Sequence, residues 1–118
     1  MSELPAELAD LGDDPEIGIG AFHALRKSGA AFQLLDIRDD WERAIGSLAG
    51  SIDIPMSTLP DSLDRLSPDG AVVVLCHHGM RSYQVALWLR DQGFENAFSV
   101  AGGIDAWSIE VDPSIARY

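Results

Sequence analysis

A chain of 118 residues with 47% hydrophobic content suits one packed domain, and its single cysteine rules out any disulfide within the chain. Nineteen acidic residues against eight basic ones leave a net charge of −11, which argues against nucleic acid or an anionic membrane as a partner. No apolar run approaches membrane-spanning length, no secretory signal opens the chain, and a free thiol suits reducing conditions, so the cytoplasm is the expected location.

Residues 1–16 read as an acidic, partly ordered arm, since from Ser2 to Glu16 there are six acids and no Lys or Arg. Residues 19–28 follow as a short helix with Phe22 and Leu25 inward and Gly29 as its stop, then residues 32–37 as a strand. Residues 39–44 make a helical turn, and residues 51–54 a short strand stopped by Pro55. Residues 58–66 read as a weakly amphipathic helix that ends before Ser67-Pro68-Asp69-Gly70. The Val/Leu run from Ala71 to Leu75 has the continuous apolarity of a strand buried on both faces. Polar residues begin at Cys76, and Ser82 is the expected N-cap of a helix that Gly93 closes. Residues 97–100 read as a last strand, residues 103–107 as a turn of helix, and residues 108–118 as an extended tail beyond a domain spanning 17–107. Strands alternating with helices imply an α/β domain, a small doubly wound parallel sheet with helices on both faces.

Cys76 therefore falls at the carboxyl end of a strand and the amino end of a helix, where open α/β sheets bind ligands and unpaired N–H groups favour anions. An ordinary cysteine thiol is only a few per cent ionised at neutral pH, and a helix N-terminus or a nearby cation increases that fraction. The helix dipole supplies about 0.3–1 kcal/mol, so loop N–H groups or Arg81 must add to it. Gly79 permits the left-handed turn that would curl the loop into an anion-binding nest.

The run Cys76-His77-His78-Gly79-Met80-Arg81-Ser82 resembles the active-site loop of the rhodanese-like sulfurtransferase family. Upstream, Leu34-Leu35-Asp36-Ile37-Arg38 with Trp41-Glu42, Gly46, Gly50-Ser51 and Ile54-Pro55 is similar to the family's first signature. Downstream, Val100-Ala101-Gly102-Gly103-Ile104-Asp105-Ala106-Trp107 resembles its closing signature. Ser47 departs from the histidine that members often carry between the two glycines. The resemblance implies a five-strand core, whose first strand would have to come from the region near Glu16 to Ile19. It also implies that Cys76 takes a sulfane sulfur from a donor, holds it as a persulfide and passes it on. On that reading Arg81 holds a small anionic donor such as thiosulfate. His77, His78, Gly79, Met80 and Ser82 complete the substrate loop, and the acceptor is cyanide, a thiol or a protein. No cofactor is implied.

Competing readings remain at this level. Cysteine-dependent phosphatases and arsenate reductases resemble this loop, but they separate cysteine from arginine by five residues, whereas four stand here. A regulatory or protein-binding module on the same fold is a third reading, against which stands the presence of Cys76. A metal held by Cys76, His77 and His78 is not expected, because three consecutive side chains rarely converge on one ion. Asp36, Arg38 and Glu42 are read as organisers of the loop after their strand, with Glu42 a partner for Arg38. Trp41, Trp88 and Trp107 are read as core or rim packing.

Overall fold

The computed structural model describes residues 4–118. Five strands, β1 (Glu16–Ile17), β2 (Gln33–Asp36), β3 (Ile52–Asp53), β4 (Val72–Leu75) and β5 (Ala97–Val100), form one sheet in the order β1-β5-β4-β2-β3. All four neighbouring pairs are parallel. The five-strand core is as expected, with β1 supplying the strand for which the pattern was weakest. Only two residues of β1 pair, Glu16 with Ser99 and Ile17 with Val100, too few for alternation to show.

The helices are α1 (Ala6–Ala9), α2 (Ile19–Ser28), α3 (Asp40–Ile45), α4 (Met80–Asp91) and α5 (Gly103–Glu110). Strand alternation divides the core in two. Val73 and Leu75 of β4 face a cluster with Leu8, Phe22, Leu25, Ile104 and Trp107, so α1, α2 and α5 cover that side. Val72, Val74 and Cys76 face the other cluster, with Val85, Ala86 and Leu89 of α4. The position of the cysteine side chain under α4 thus follows from the period of the strand before it.

From β2 the chain crosses through α3 to β3 on one side, and from β4 it crosses through α4 to β5 on the other. The strand order reverses between β2 and β4, and at their carboxyl ends stand Asp36 and Cys76. Such a switch point is where open α/β sheets hold ligands.

Three local readings are corrected. Residues 58–66 form two 3-10 turns, Leu59–Asp61 and Leu63–Arg65, because Pro60 lacks an N–H and the Ser62 hydroxyl bonds back to the Thr58 carbonyl. Gly79, not Ser82, is the N-cap of α4, since its left-handed backbone turns the chain directly into the helix and leaves Ser82 buried in the first turn. The arm expected over residues 1–16 extends into residues outside the described ones, and its described part carries α1, which places Leu8 fully inside the core. Residues 108–118 are not an extended tail: α5 continues to Glu110, the Ser108 hydroxyl donates to the Ile115 carbonyl, and the segment folds back until Tyr118 lies on His77.

Candidate functional site

The Cys76 sulfur sits at the floor of a cavity of about 380 Å³, whose walls include His77, His78, Met80, Arg81 and Gln84. Only 1% of the residue is exposed, so a reagent must reach the sulfur with a narrow terminus. The backbone N–H groups of Gly79 and Ser82 point at Sγ over 3.1 and 3.3 Å. The thiol lies 3.3 Å from the Ser82 hydroxyl, which is itself pinned at 2.7 Å from the Ser99 hydroxyl of β5. The cradle is thus one turn of backbone at the N-terminus of α4, reinforced by two buried serines.

The handedness of Gly79 makes that turn. Its φ is 95°, and a Cβ there would lie 2.9 Å from the Gly102 nitrogen and 3.1 Å from the Val100 carbonyl. Gly102 and Gly103 press against the loop from behind: a Cβ on Gly103 would stand 2.4 Å from the His77 carbonyl oxygen. This close approach lets the N–H groups of Ile104 and Asp105 bond the Cys76 and His77 carbonyls at 2.9 and 3.1 Å. The paired glycines allow the start of α5 to satisfy the carbonyl side of the loop while the start of α4 serves its sulfur side.

Arg81 leaves the first turn of α4 toward α3. Its two terminal nitrogens donate to both oxygens of Glu42, at 2.7 and 3.0 Å. Glu42 also accepts the Asp39 N–H at 2.9 Å as part of the box that caps α3, and the Tyr118 hydroxyl at 2.9 Å. Burial pushes the Glu42 carboxyl up, but these donors outweigh it and hold it at about 2. In return the hydrogen bonds to Glu42 raise the pKa of the Arg81 guanidinium, against the opposing effect of burial.

Arg38 is fully buried, and its carboxylate partner is Asp36, 2.9 Å away. It donates to Glu42 only at the backbone carbonyl, so the expected Arg38–Glu42 side-chain pair does not form. The Arg38 side chain folds back onto the strand end that carries Asp36, and the Glu42 carboxylate is left to face α4. The remaining donors of Arg38 reach the Gly46 carbonyl and the Tyr118 hydroxyl.

His77 is sandwiched between two rings, with centroids 3.8 Å from both His78 and Tyr118. Its Nε2 is buried without a hydrogen-bond partner among the described residues. Burial, reinforced by the neighbouring imidazole of His78, lowers its pKa, which favours the neutral form. His78 is the outer histidine, 3.8 Å from Asp105. Among the described residues no cluster of three His, Cys, Asp or Glu side chains has a metal-binding arrangement. Trp107 is core, and Trp41, 61% exposed, packs edge-on against Tyr118.

Sequence reasoning missed Tyr118, Ser99 and Gln84. Ser99 carried a faint signal, a polar residue within a buried strand. Tyr118 had none, being placed by tertiary packing of the final segment.

A parallel α/β sheet with a cysteine cradled at a helix N-terminus beyond its central strand defines a class of thiol-bearing domains. Residues 20–110 match the family described as "Rhodanese-like domain", and the chain belongs to that family. It is 43% identical over 90 residues to Rhodanese-like/PpiC domain-containing protein 12, chloroplastic, of Arabidopsis thaliana, matching 73% of this chain and 30% of that protein. It is 36% identical to Thiosulfate sulfurtransferase GlpE of Stutzerimonas stutzeri, over 72% of this chain and 76% of that one. A rhodanese-related protein from Thermoplasma volcanium superposes with a TM-score of 0.74 at 34% identity, covering 81% of this chain and 92% of the other. The chain thus spans less than a third of the Arabidopsis relative and most of the other two. No helix among the described residues is long and apolar enough to cross a membrane.

Proposed function

We propose that this domain is a sulfurtransferase in which Cys76 carries the sulfur as a persulfide between donor and acceptor. The observation that carries the reading is the pair of N–H groups, from Gly79 and Ser82, aimed at Sγ where they favour a thiolate and then a persulfide anion. In the first step the thiolate attacks the outer sulfur of a donor, thiosulfate or a persulfide. The sulfur–sulfur bond of the donor breaks and its electron pair leaves with sulfite or a thiolate. In the second step cyanide or a thiolate attacks the outer sulfur of the Cys76 persulfide and the cysteine thiolate departs. Neither step needs an external oxidant or a cofactor, and two displacements through one nucleophile give ping-pong kinetics.

On this reading His77, His78, Gly79, Met80 and Ser82 shape the pocket around the sulfur, with Arg81 on its wall. Asp36, Arg38 and Glu42 are positioning residues that fix the neighbouring loop. A reactive free thiol suits a reducing compartment such as the cytoplasm. A phosphatase requires the loop arginine to bind equatorial oxygens of a phosphoryl group, and here that arginine is bound by Glu42. Intact-mass measurement after incubation with thiosulfate or a persulfide should show one added sulfur on Cys76, lost on adding cyanide. Retention of sulfur transfer by Cys76→Ser would overturn the assignment.

A further inference from the structure

We propose that the sulfur donor of this site is a cysteine persulfide carried on a basic protein, docked across an apolar rim around Gln84, rather than thiosulfate. The proposal rests on the reading of Cys76 as the sulfur acceptor and narrows what it accepts from.

The first argument is the charge seen by a small dianion. Of the eight Lys and Arg residues, Arg81 alone lines the cavity over Cys76. Both of its terminal nitrogens are taken by Glu42, which stays ionised through the physiological range. Behind this pair Arg38 is matched by Asp36, so the four charges beside the loop cancel. Arg117 is matched by Asp105, which also faces His78, and burial favours the neutral form of His77. Thiosulfate approaching Cys76 therefore meets no uncompensated cation near the sulfur, and the body of the protein carries a net charge of −11.

The second argument is the surface that surrounds the opening. A separate apolar cavity of about 310 Å³, lined by Met56, Leu59, Pro60, Gln84, Val85 and Trp88, adjoins the Cys76 cavity through Gln84. A third depression, bounded by Glu16, Met80 and Tyr83, shares the same Gln84. Met80 is 76% exposed, and Met56 and Tyr83 are each 37% exposed. Three adjoining hollows with a methionine- and aromatic-rich rim fit a protein surface far better than a small inorganic ion. Acidic residues border them: Glu16 lines one, and exposed Asp61 follows Pro60 in the turn beside another. That charge selects a basic partner and disfavours a second copy of this chain.

The step balances without a further reagent. The Cys76 thiolate attacks the outer sulfur of the partner's R–S–SH, the S–S bond breaks, R–S⁻ leaves, and the outer sulfur keeps its proton as Cys76–S–SH.

Loading of Cys76 is measured by quenched intact-mass analysis at low ionic strength with three donors. These are thiosulfate and two persulfidated synthetic peptides of equal length, one with Lys and Leu flanking the cysteine and one with Glu and Ser. The Lys/Leu peptide should load Cys76 at least about tenfold faster than either other donor, with an advantage that shrinks as salt is added. Met56→Lys should reduce that advantage, and Glu42→Gln, which uncovers Arg81 while keeping an acceptor for the Asp39 N–H, should raise the thiosulfate rate relative to the peptide rate. Thiosulfate loading wild-type protein as fast as the Lys/Leu peptide, or equal rates for the two peptides, would overturn the donor assignment and leave Cys76 as the carrier. Failure of every donor to place sulfur on Cys76 would overturn the carrier reading itself.

Discussion

Cys76 and Arg81 stand on one short loop, yet different kinds of structure hold them. The sulfur is held by backbone: N–H groups three and six residues further along the chain, aimed by the left-handed turn at Gly79. The guanidinium is held by side chains from afar, first by Glu42, 39 residues away, which is in turn held by Tyr118, 76 residues from it. Backbone donors cannot be exchanged by substitution at their own positions, whereas each member of the charge network can be. The sulfur cradle is therefore the rigid half of the site and the charge network its adjustable half.

The hardest test of the rigid half is Gly79→Ala. A residue with a Cβ is strained at a φ of 95°, and here the added atom also meets backbone 2.9 Å away that belongs to another element. A loss of about 2–4 kcal/mol in a urea titration is expected, together with a fall in sulfur loading of the folded fraction. Full activity and stability in this variant would show that the turn is not what aims the donors.

A smaller effect is expected from acid acting on the adjustable half. The folded Glu42 carboxyl is held at about 2, against an ordinary value of 4.5. Its contribution to stability is complete above 4.5 and is lost as the pH falls toward 2, because the unfolded chain takes up the proton first. The full shift corresponds to about 3 kcal/mol, reduced by solvent screening at the partly exposed Arg81. Urea midpoints measured from pH 6 down to pH 2 should fall for the wild type and fall less steeply for Glu42→Gln. Parallel curves for the two proteins would show that the network does not retain the charge of Glu42.

The same division decides how much could be read from the sequence. The strand into Cys76, the glycine turn and the following helix are consecutive, so their roles are written in neighbouring residues. The misplacement of the N-cap at Ser82 came from reading a hydroxyl as a capping group when burial assigned it to the sulfur and to Ser99. The residues 36, 38 and 42 were recognisable as organisers of a loop, but the exchange of partners was not. Whether Glu42 meets Arg38 or Arg81 depends on where the tertiary fold sets α3 relative to the loop that starts α4, which no local spacing encodes. Tyr118 was least legible, since residues 111–118 have little regular structure and are fixed by contacts such as Arg117 with Asp105.

Tyr118→Phe tests the mildest link, keeping the ring on His77 and removing only the hydroxyl between Arg38 and Glu42. The expected cost is about 1–2 kcal/mol, the range for a hydrogen bond to a charged group. Glu42 loses one of the donors that lower its pKa, so the acid-induced loss of stability should start at the same pH as in the wild type but be smaller and level off at a higher pH. If the hydroxyl acts through Glu42, its removal should matter less once Glu42 is already glutamine, and the two substitutions should be non-additive in a double-mutant cycle. Strict additivity would mean that Tyr118 serves only as packing over His77, and that the adjustable half of the site ends at the Arg81–Glu42 pair.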